Sequence, residues 1–196
     1  MEVFDILHIY KYVKYRFCIK NQEKEQLYMQ IRPLERNDLP FIHQLDNHQS
    51  TMALWFEEPY ESIDELNSLY DKHIHDISER RFVIDLDGEF AGVIELVEID
   101  YIHRTTEIQI IVRKAYQGRG LAKQAIRKGL NYAFNMLNMH KVYLYVDVDN
   151  HIGIHIYEGA GFVQEGRLRQ QFYANGEYHD SLIMGIFRDE VLELED

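Results

Sequence analysis

The sequence has one cysteine, few basic residues and no long apolar run. The cysteine, Cys18, excludes a disulfide within the chain, and a free thiol is typical of a reducing cytoplasm, the compartment that we expect. No run reaches the about 18 apolar residues of a transmembrane helix, so no membrane is expected as a partner. Lys and Arg number 21 against 33 Asp and Glu, for a formal net charge of −12. Such a chain argues against nucleic acid as a partner and favours a cationic one.

The apolar content is sufficient for one large domain. Of the 196 residues, 46% are hydrophobic and 13% are aromatic. Residues 1–28 differ from the rest because they carry five Lys or Arg against four Asp or Glu. Charges interrupt their apolar residues, which excludes a secretory signal. We therefore predict an N-terminal extension at residues 1–28, either poorly ordered or translated upstream of a true start at Met29, and a single domain at residues 29–196.

Hydrophobic periodicity and turn residues predict a mixed α/β (α+β) fold with about seven strands and four helices. A capping box, Ser62-Ile-Asp-Glu65, starts one helix, and Asp87-Gly88 and Asn175-Gly176 are hairpin turns. The predicted order is strand, two helices, three strands, helix, strand, helix and two strands. The predicted strands are Met29–Glu35, Arg81–Asp85, Phe90–Asp100, Thr105–Val112, Lys141–Val148, Phe162–Phe172 and Tyr178–Phe187. The predicted helices follow Asn37, run from Ile63 to about Ile77, run from Leu121 to about Leu137, and follow Asn150.

The stretch Gln117–Ala122 joins a predicted strand to a predicted helix and contains two glycines. Glycines let backbone N–H groups approach an anion, and a helix start adds free donors and the positive end of the helix dipole. A Walker loop is excluded because Leu121 follows Gly120, and a dinucleotide loop is excluded because Lys123 stands in place of the third glycine. These residues by themselves leave two interpretations, a pyrophosphate loop and an ordinary strand-to-helix turn.

The pattern Gln-x-x-Gly-x-Ala resembles the coenzyme A pyrophosphate loop of the GNAT N-acetyltransferases. A second segment, from Asn150 to Phe162, is also similar to these enzymes, except that Gly153 stands where alanine is common. The resemblance implies the GNAT acyl-CoA N-acyltransferase fold, with a mixed and mostly antiparallel sheet, and acetyl-CoA as co-substrate. It also implies that Tyr157 is the catalytic residue and protonates the departing thiolate. The cofactor-binding residues that it implies are Ile110, Ile111, Val112, Gln117, Gly118, Arg119, Gly120, Leu121, Ala122, Lys123, Asn150 and Tyr157.

Acidic residues crowd around the start of the second predicted helix, beside aromatic side chains, and continue on later strands. Carboxylates with aromatic rings suit a flexible polycation, which they bind by ion pairs and cation–π contacts. The alternative is a solvated acidic face in which Glu65 only caps its helix. His73 and His75 lie two positions apart and share no helix face, so zinc is not expected. The acidic and aromatic residues are Trp55, Glu57, Glu58, Tyr60, Glu61, Asp64, Glu65, Asp76, Glu79, Glu95, Glu98 and Glu107.

Four segments together resemble the bacterial spermidine/spermine N-acetyltransferases: Trp55–Glu61, Lys72–Asp76, Tyr101–Arg104 and Glu107-x-Gln109. The resemblance runs from about Met29 to Phe187. It implies a polyamine that is both substrate and allosteric effector, a hexamer-based dodecamer, and a divalent cation, Mg²⁺ or Ca²⁺, at Glu57 and Glu98. The polyamine-binding residues that it implies are Met52, Glu57, Glu65, His73, Ile74, His75, Asp76, Glu107 and Gln109.

Two other functions stay open. Another GNAT enzyme would acetylate a protein N-terminal amine, although the acidic and aromatic loop favours a small polycation. A non-catalytic polyamine or CoA sensor would keep the fold, although the retained Tyr157 argues for catalysis. We therefore predict a polyamine N-acetyltransferase that uses acetyl-CoA.

We predict that a chain starting at Met29 keeps its fold and its turnover number, because complete GNAT-like elements follow that residue. The test compares the steady-state rate with spermidine and the mass in solution of the truncated and full chains. A loss of activity or of oligomerisation on truncation would show that residues 1–28 pack on the domain.

Overall fold

The computed structural model describes residues 28–48 and 61–191. Most of the predicted extension, with Cys18, and the predicted loop Trp55–Tyr60 lie outside these residues. The described strands are β1 Met29–Pro33, β2 Arg80–Leu86, β3 Glu89–Asp100, β4 Thr105–Val112, β5 Lys141–Asp147, β6 Val163–Ala174 and β7 Glu177–Phe187. The described helices are α1 Leu39–Asp46, α2 Ile63–His73, α3 Leu121–Asn131 and α4 His151–Glu158.

The seven described strands form one sheet in the order β1-β2-β3-β4-β5-β7-β6. Neighbouring strands are antiparallel except β4 and β5, which are parallel. A parallel pair needs a crossover connection, and here the connection from β4 to β5 contains α3. The prediction of seven strands and four helices in this order is confirmed, as is the mostly antiparallel sheet.

The predicted end of α2 near Ile77 is wrong, because the helix ends at His73. The carboxylate of Asp76 accepts hydrogen bonds from the N–H (2.7 Å) and the hydroxyl (2.6 Å) of Ser78. This local turn competes with further helical hydrogen bonds. By contrast, α3 ends at Asn131 but continues as a π-helical turn to Met136, so the helical segment extends about as far as predicted.

Helices cover both faces of the sheet and bury two apolar clusters. On one face, which we call the α1–α2 face, Leu39 of α1 and Leu66 of α2 share a cluster with Val83 and Val93 of the strands. On the other, the α3–α4 face, Ile126 of α3 shares a larger cluster with residues of strands β1 to β5 and β7. The two pairs of helices thus pack on opposite faces of the sheet.

Strand β4 alternates between these two faces, as a pleated strand must. Ile108 and Ile110 belong to the cluster on the α3–α4 face, and Ile111 belongs to the cluster on the α1–α2 face. Glu107 and Gln109 have the same parity as Ile111. They therefore project toward the α1–α2 face, and Gln109 hydrogen-bonds to Glu107 there.

Strands β3 and β4 approach closely at Gly92, which is opposite Val112 in the ladder. A Cβ atom on Gly92 would lie 2.1 Å from the carbonyl oxygen of Ile111. That distance is far inside van der Waals contact, and the atom that would have to move belongs to the backbone. The absence of a side chain at Gly92 therefore sets the position of the last residues of β4.

We predict that Gly92→Ala lowers the melting temperature by roughly 5–10 °C, because the added methyl group forces the backbone of β4 away from β3. Thermal unfolding followed by circular dichroism measures this change. Gly159→Ala is the matched control, since its methyl group would lie 3.2 Å from the nearest atom, the carbonyl oxygen of His155. Equal melting temperatures for the two variants would contradict the prediction.

Candidate functional site

The predicted pyrophosphate loop follows β4 through a 3₁₀ turn at Lys114–Tyr116. The side chain of Gln117 donates a hydrogen bond to the carbonyl oxygen of Val112 (2.9 Å), and that of Arg119 donates to the carbonyl oxygen of Ala115 (3.2 Å). Both side chains therefore brace the loop. The groups that the loop offers to a ligand are mainly its backbone N–H groups.

The two glycines of the loop have an uncommon backbone conformation. Gly118 and Gly120 each have a φ of +74°, which residues with a side chain rarely adopt. Gly120 is the N-cap of α3, and no side chain among the described residues caps this helix. The first N–H groups of α3, from Leu121 through Ala122 to Lys123, are thus available to an anion at the positive end of the helix dipole.

Space for such an anion is present above the loop. A Cβ atom on Gly118 would meet no described atom within 4 Å, and one on Gly120 would meet only the side-chain nitrogen of Gln124, at 4.0 Å. The glycines are therefore required for their conformation and for close approach of a ligand. They are not required to relieve crowding within the described chain.

Beside this loop, β4 and β5 separate. They pair at three rungs, from Thr105 opposite Lys141 to Glu107 opposite Tyr143, whereas β4 pairs with β3 as far as Val112. The opening between residues 108–112 of β4 and residues 144–147 of β5 is called the strand gap below. Ile110, Ile111 and Val112, which were predicted to bind the cofactor, border this gap. Backbone groups of β4 that face it are available to hydrogen-bond a ligand.

Tyr157 lies on α4, at the α3–α4 side of the sheet. The residue is half-buried, belongs to the edge of the larger apolar cluster, and its ring makes a T-shaped contact with Phe162 at 5.9 Å between centroids. Burial, with a smaller contribution from the charge of Glu107, raises the pKa of Tyr157 to about 12. The hydroxyl is therefore protonated at neutral pH and can act as a proton donor.

Asn150 is the N-cap of α4, and its Oδ1 accepts a hydrogen bond from the N–H of Gly153 at 2.9 Å. A Cβ atom on Gly153 would lie 2.7 Å from Nδ2 of Asn150. The glycine that departs from the GNAT pattern thus leaves room for this rotamer of the asparagine. Because Oδ1 is used by the cap, the group that Asn150 offers to a cofactor is its amide N–H₂.

Glu107 and Gln109 lie together at the edge of the strand gap on the α1–α2 face. Gln109 donates a hydrogen bond from Nε2 to Oε1 of Glu107 at 2.9 Å. Glu107 also contributes to the raised pKa of Tyr157 through its charge, although the two residues belong to opposite faces. The gap therefore separates a carboxylate on one face from a phenol on the other.

Glu98 lies near Glu107, because it follows Val97, which is opposite Glu107 in the ladder. The β3–β4 ladder is irregular between Val97 and Asp100. Glu98 has a φ of +49°, which is unusual for a residue with a side chain. Its Oε2 accepts a hydrogen bond from the hydroxyl of Tyr143 at 2.9 Å, and this bond, after burial, raises the pKa of Tyr143. Glu98 is thus held against β5.

The predicted polyamine residues of α2 and the following turn have diverse local roles. Glu65 caps its helix, because its Oε2 accepts a hydrogen bond from the N–H of Ser62 at 2.8 Å. This is the capping role that the alternative interpretation of the acidic residues assigns to Glu65. Asp76 closes the turn with Ser78, and Ile74 and His75 are exposed. Burial, and then the charge of Arg81, lowers the pKa of His73. The imidazole of His73 is therefore less readily protonated than that of an ordinary histidine.

Arg81 is a residue of this region that sequence reasoning missed. Its guanidinium lies 2.9 Å from Oε2 of Glu79 and 3.2 Å from Oε1 of Glu95, and Glu79 is 3.6 Å from Nδ1 of His73. Glu95 is buried, and a buried carboxylate needs a partner of opposite charge, which the guanidinium of Arg81 supplies. The expectation that Glu95 belongs to an acidic surface for a polycation is therefore wrong. The sequence contains no signal for this pairing, because it depends on the register of β2 and β3.

The predicted cation site at Glu57 and Glu98 stays a prediction, because Glu57, like Met52, lies outside the described residues. Within residues 28–48 and 61–191, potential ligand atoms of Asp147, Asp149 and His179 all lie within 4.8 Å of one another. Nδ1 of His179 and Oδ2 of Asp147 are already 2.9 Å apart. We therefore assign no metal to this group.

None of the helices in the described residues combines the length and the apolar character needed to cross a membrane.

Comparison with known proteins places this geometry among acetyltransferases. Residues 39–162 match the acetyltransferase (GNAT) family. The spermidine N(1)-acetyltransferase of Escherichia coli (strain K12) is 53% identical over 164 residues, which cover 84% of this chain and 88% of the relative. A spermidine N-acetyltransferase from Vibrio cholerae, solved with CoA and spermine, is 50% identical over 83% of this chain and 96% of the other, with a TM-score of 0.81. A dodecameric structure of the V. cholerae enzyme is also 50% identical over 82% of this chain and 94% of the other, with a TM-score of 0.75.

We predict that Gly120→Val raises the Michaelis constant for acetyl-CoA at least about tenfold, because a β-branched residue strains the φ of +74° and projects into the space above the loop. Steady-state kinetics with varied acetyl-CoA measures the effect. Gly88→Val is the matched control, since Gly88 has a φ of +86° and open space but lies in the β2–β3 turn. An unchanged Michaelis constant in a folded Gly120→Val protein would count against the loop.

Proposed function

The chain belongs to the acetyltransferase (GNAT) family, and we propose that it transfers the acetyl group of acetyl-CoA to an amine of spermidine or spermine. The observation that carries the proposal is the strand gap, with Glu107 on one face of the sheet and Tyr157 on the other. The 53% identity with a spermidine N-acetyltransferase over most of the chain supports the choice of acceptor.

The acceptor amine must lose a proton before it can attack. An alkylamine with a pKa near 10.4 is mostly charged at pH 7, and removal of its proton costs roughly 4–5 kcal/mol. Glu107 attracts the ammonium group and accepts the proton, directly or through water. Gln109 keeps Oε1 of this carboxylate in place through its hydrogen bond. Both residues face the α1–α2 side, from which the polyamine enters.

The amine nitrogen then attacks the thioester carbonyl carbon within the strand gap. Backbone N–H groups of Ile110 to Val112 stabilise the oxyanion that forms. When the tetrahedral intermediate collapses, the C–S bond breaks and the Tyr157 hydroxyl donates its proton to the leaving sulfur. The attacking nitrogen loses its second proton in this step, and that proton, relayed through water, returns Tyr157 to its neutral form. A pKa of about 12 means that this donor carries its proton at neutral pH.

The co-substrate is held at two places by groups that fit its chemistry. The N–H groups of the loop from Gly118 to Lys123 bind the pyrophosphate, at the start of α3. The amide N–H₂ of Asn150 and the edge of β4 bind the amide-bearing pantetheine arm. In the loop, backbone N–H groups are assigned this role because the side chains of Gln117 and Arg119 already donate hydrogen bonds within the loop.

Polyamine also acts as an effector in this proposal. The effector site comprises Met52, Glu57, Glu65 and residues 73–76, and it lies between subunits of a homo-oligomer. The dodecameric V. cholerae structure supports an assembly of this kind. The lowered pKa of His73 supports binding of a cation at this end of α2. The divalent cation at Glu57 and Glu98 and the cytoplasmic location stay predictions, and no catalytic step requires the metal.

The two alternative functions are less well supported. An enzyme that acetylates protein N-termini has no need of several carboxylates, such as Glu107 and Glu98, that suit a small polycation. A non-catalytic sensor has no need of Tyr157 at the strand gap with its proton held at neutral pH. We therefore retain polyamine acetylation as the function.

We predict that Tyr157→Phe lowers the turnover number with spermidine by about 10²–10⁴-fold, because it removes the proton donor and little else. The affinity for acetyl-CoA, measured by calorimetry, is expected to stay within about twofold. Thiol release at saturating spermidine measures turnover, and Tyr178→Phe, at an exposed tyrosine of β7, is the control. Full turnover of Tyr157→Phe when chemistry limits the rate would show that the general acid is another group.

A further inference from the structure

Two tyrosines of β5 lie beside the strand gap and have no role in the chemistry described above. Tyr143 is opposite Glu107 in the last parallel rung, so the two side chains share the α1–α2 face. Tyr145, two residues further, projects from the same face. The rings of Tyr143 and Tyr145 contact each other at 5.9 Å between centroids, and Phe172 of β6 contacts Tyr145 at 6.3 Å. Three aromatic rings thus extend from Glu107 toward the β6–β7 hairpin.

The two carboxylates on this side act electrostatically on Tyr145. Burial raises its pKa first, and the charges of Glu107 and Glu98 raise it further. Among the described residues its hydroxyl makes no hydrogen bond, in contrast to that of Tyr143, which holds Glu98. Tyr145 therefore offers mainly its ring, within the field of two negative charges.

The exposure of Tyr145 argues against a purely structural role. Its neighbours Leu144 and Val146 are 1% and 3% exposed and fill the core on the opposite face. Tyr145 is only half-buried and borders the gap through which an acceptor must approach Glu107. An aromatic ring at such a position is suited to contact a ligand.

We infer that Tyr145, together with Tyr143 and Glu98, forms the subsite for the non-reacting part of the polyamine, beside Glu107, which faces the reacting amine, and that the ring of Tyr145 selects acceptors with a second ammonium group. The inference rests on the proposed function. The methylene chain of a polyamine packs on aromatic rings, and a distal ammonium group gains from both a ring face and nearby carboxylates. A monoamine has no distal charge and gains little.

The test compares Tyr145→Leu, Tyr145→Phe and the wild-type enzyme with spermidine, spermine and propylamine as acceptors. We expect Tyr145→Leu to raise the Michaelis constants for spermidine and spermine by about 5–30-fold, with the value for propylamine and the turnover number within about twofold. Tyr145→Phe keeps the ring and is expected to behave as the wild type does. Tyr178→Leu is the matched control, since Tyr178 is 66% exposed and contacts Tyr173.

Unchanged Michaelis constants for polyamines in a folded Tyr145→Leu protein would overturn the subsite alone, as would an equal loss in Tyr145→Phe, which would indicate the hydroxyl. A wild-type enzyme that acetylates no polyamine would overturn the proposed function and the subsite with it. If Tyr145→Leu does not fold, Tyr145→Met fills a similar volume without a ring, and the same expectations apply to it.

Discussion

The structure depends on the short parallel pairing of β4 with β5. Each strand is fully supported on its outer side, β4 by β3 and β5 by β7, yet the two strands share three rungs. The inner edges beyond Glu107 and Tyr143 therefore carry backbone donors and acceptors that need partners. A ligand with amide groups, such as the pantetheine arm in the proposed function, is suited to satisfy them. The proposed binding site thus arises where the pairing of β4 with β5 stops.

In the proposed mechanism, the same gap separates two opposite proton transfers, one on each face of the sheet. Glu107, on one face, is suited to take a proton from the amine, and Tyr157, on the other, is suited to give one to the sulfur. The charge of Glu107 raises the pKa of Tyr157, so the carboxylate also helps to keep the phenol protonated. If the two groups shared a face without the gap between them, the carboxylate would accept a hydrogen bond from the phenol, and both would be less available to substrates.

Acidic residues near the proposed polyamine sites show that one residue type has several uses. Glu65 caps a helix, Asp76 closes a turn and Glu95 is buried against Arg81. By contrast, Glu107 borders the strand gap, and Glu98 is held beside it by Tyr143. The net charge of −12 favours a cation as partner in general. The neighbours of each carboxylate determine whether it is available to bind a cation or stabilises the fold.

Features that depend on a few adjacent residues could be predicted from the sequence. The hairpins at Asp87-Gly88 and Asn175-Gly176 and the cap at Ser62 are of this kind, and so is the turn at Gly118 and Gly120, because backbone conformation there is set locally. The order of strands and helices followed from the same local signals. The strand gap, the Arg81–Glu95 pair and the position of Tyr145 beside Glu107 required the tertiary structure. They join residues distant in sequence, and the register between strands is set by packing of the whole sheet, which no local pattern records.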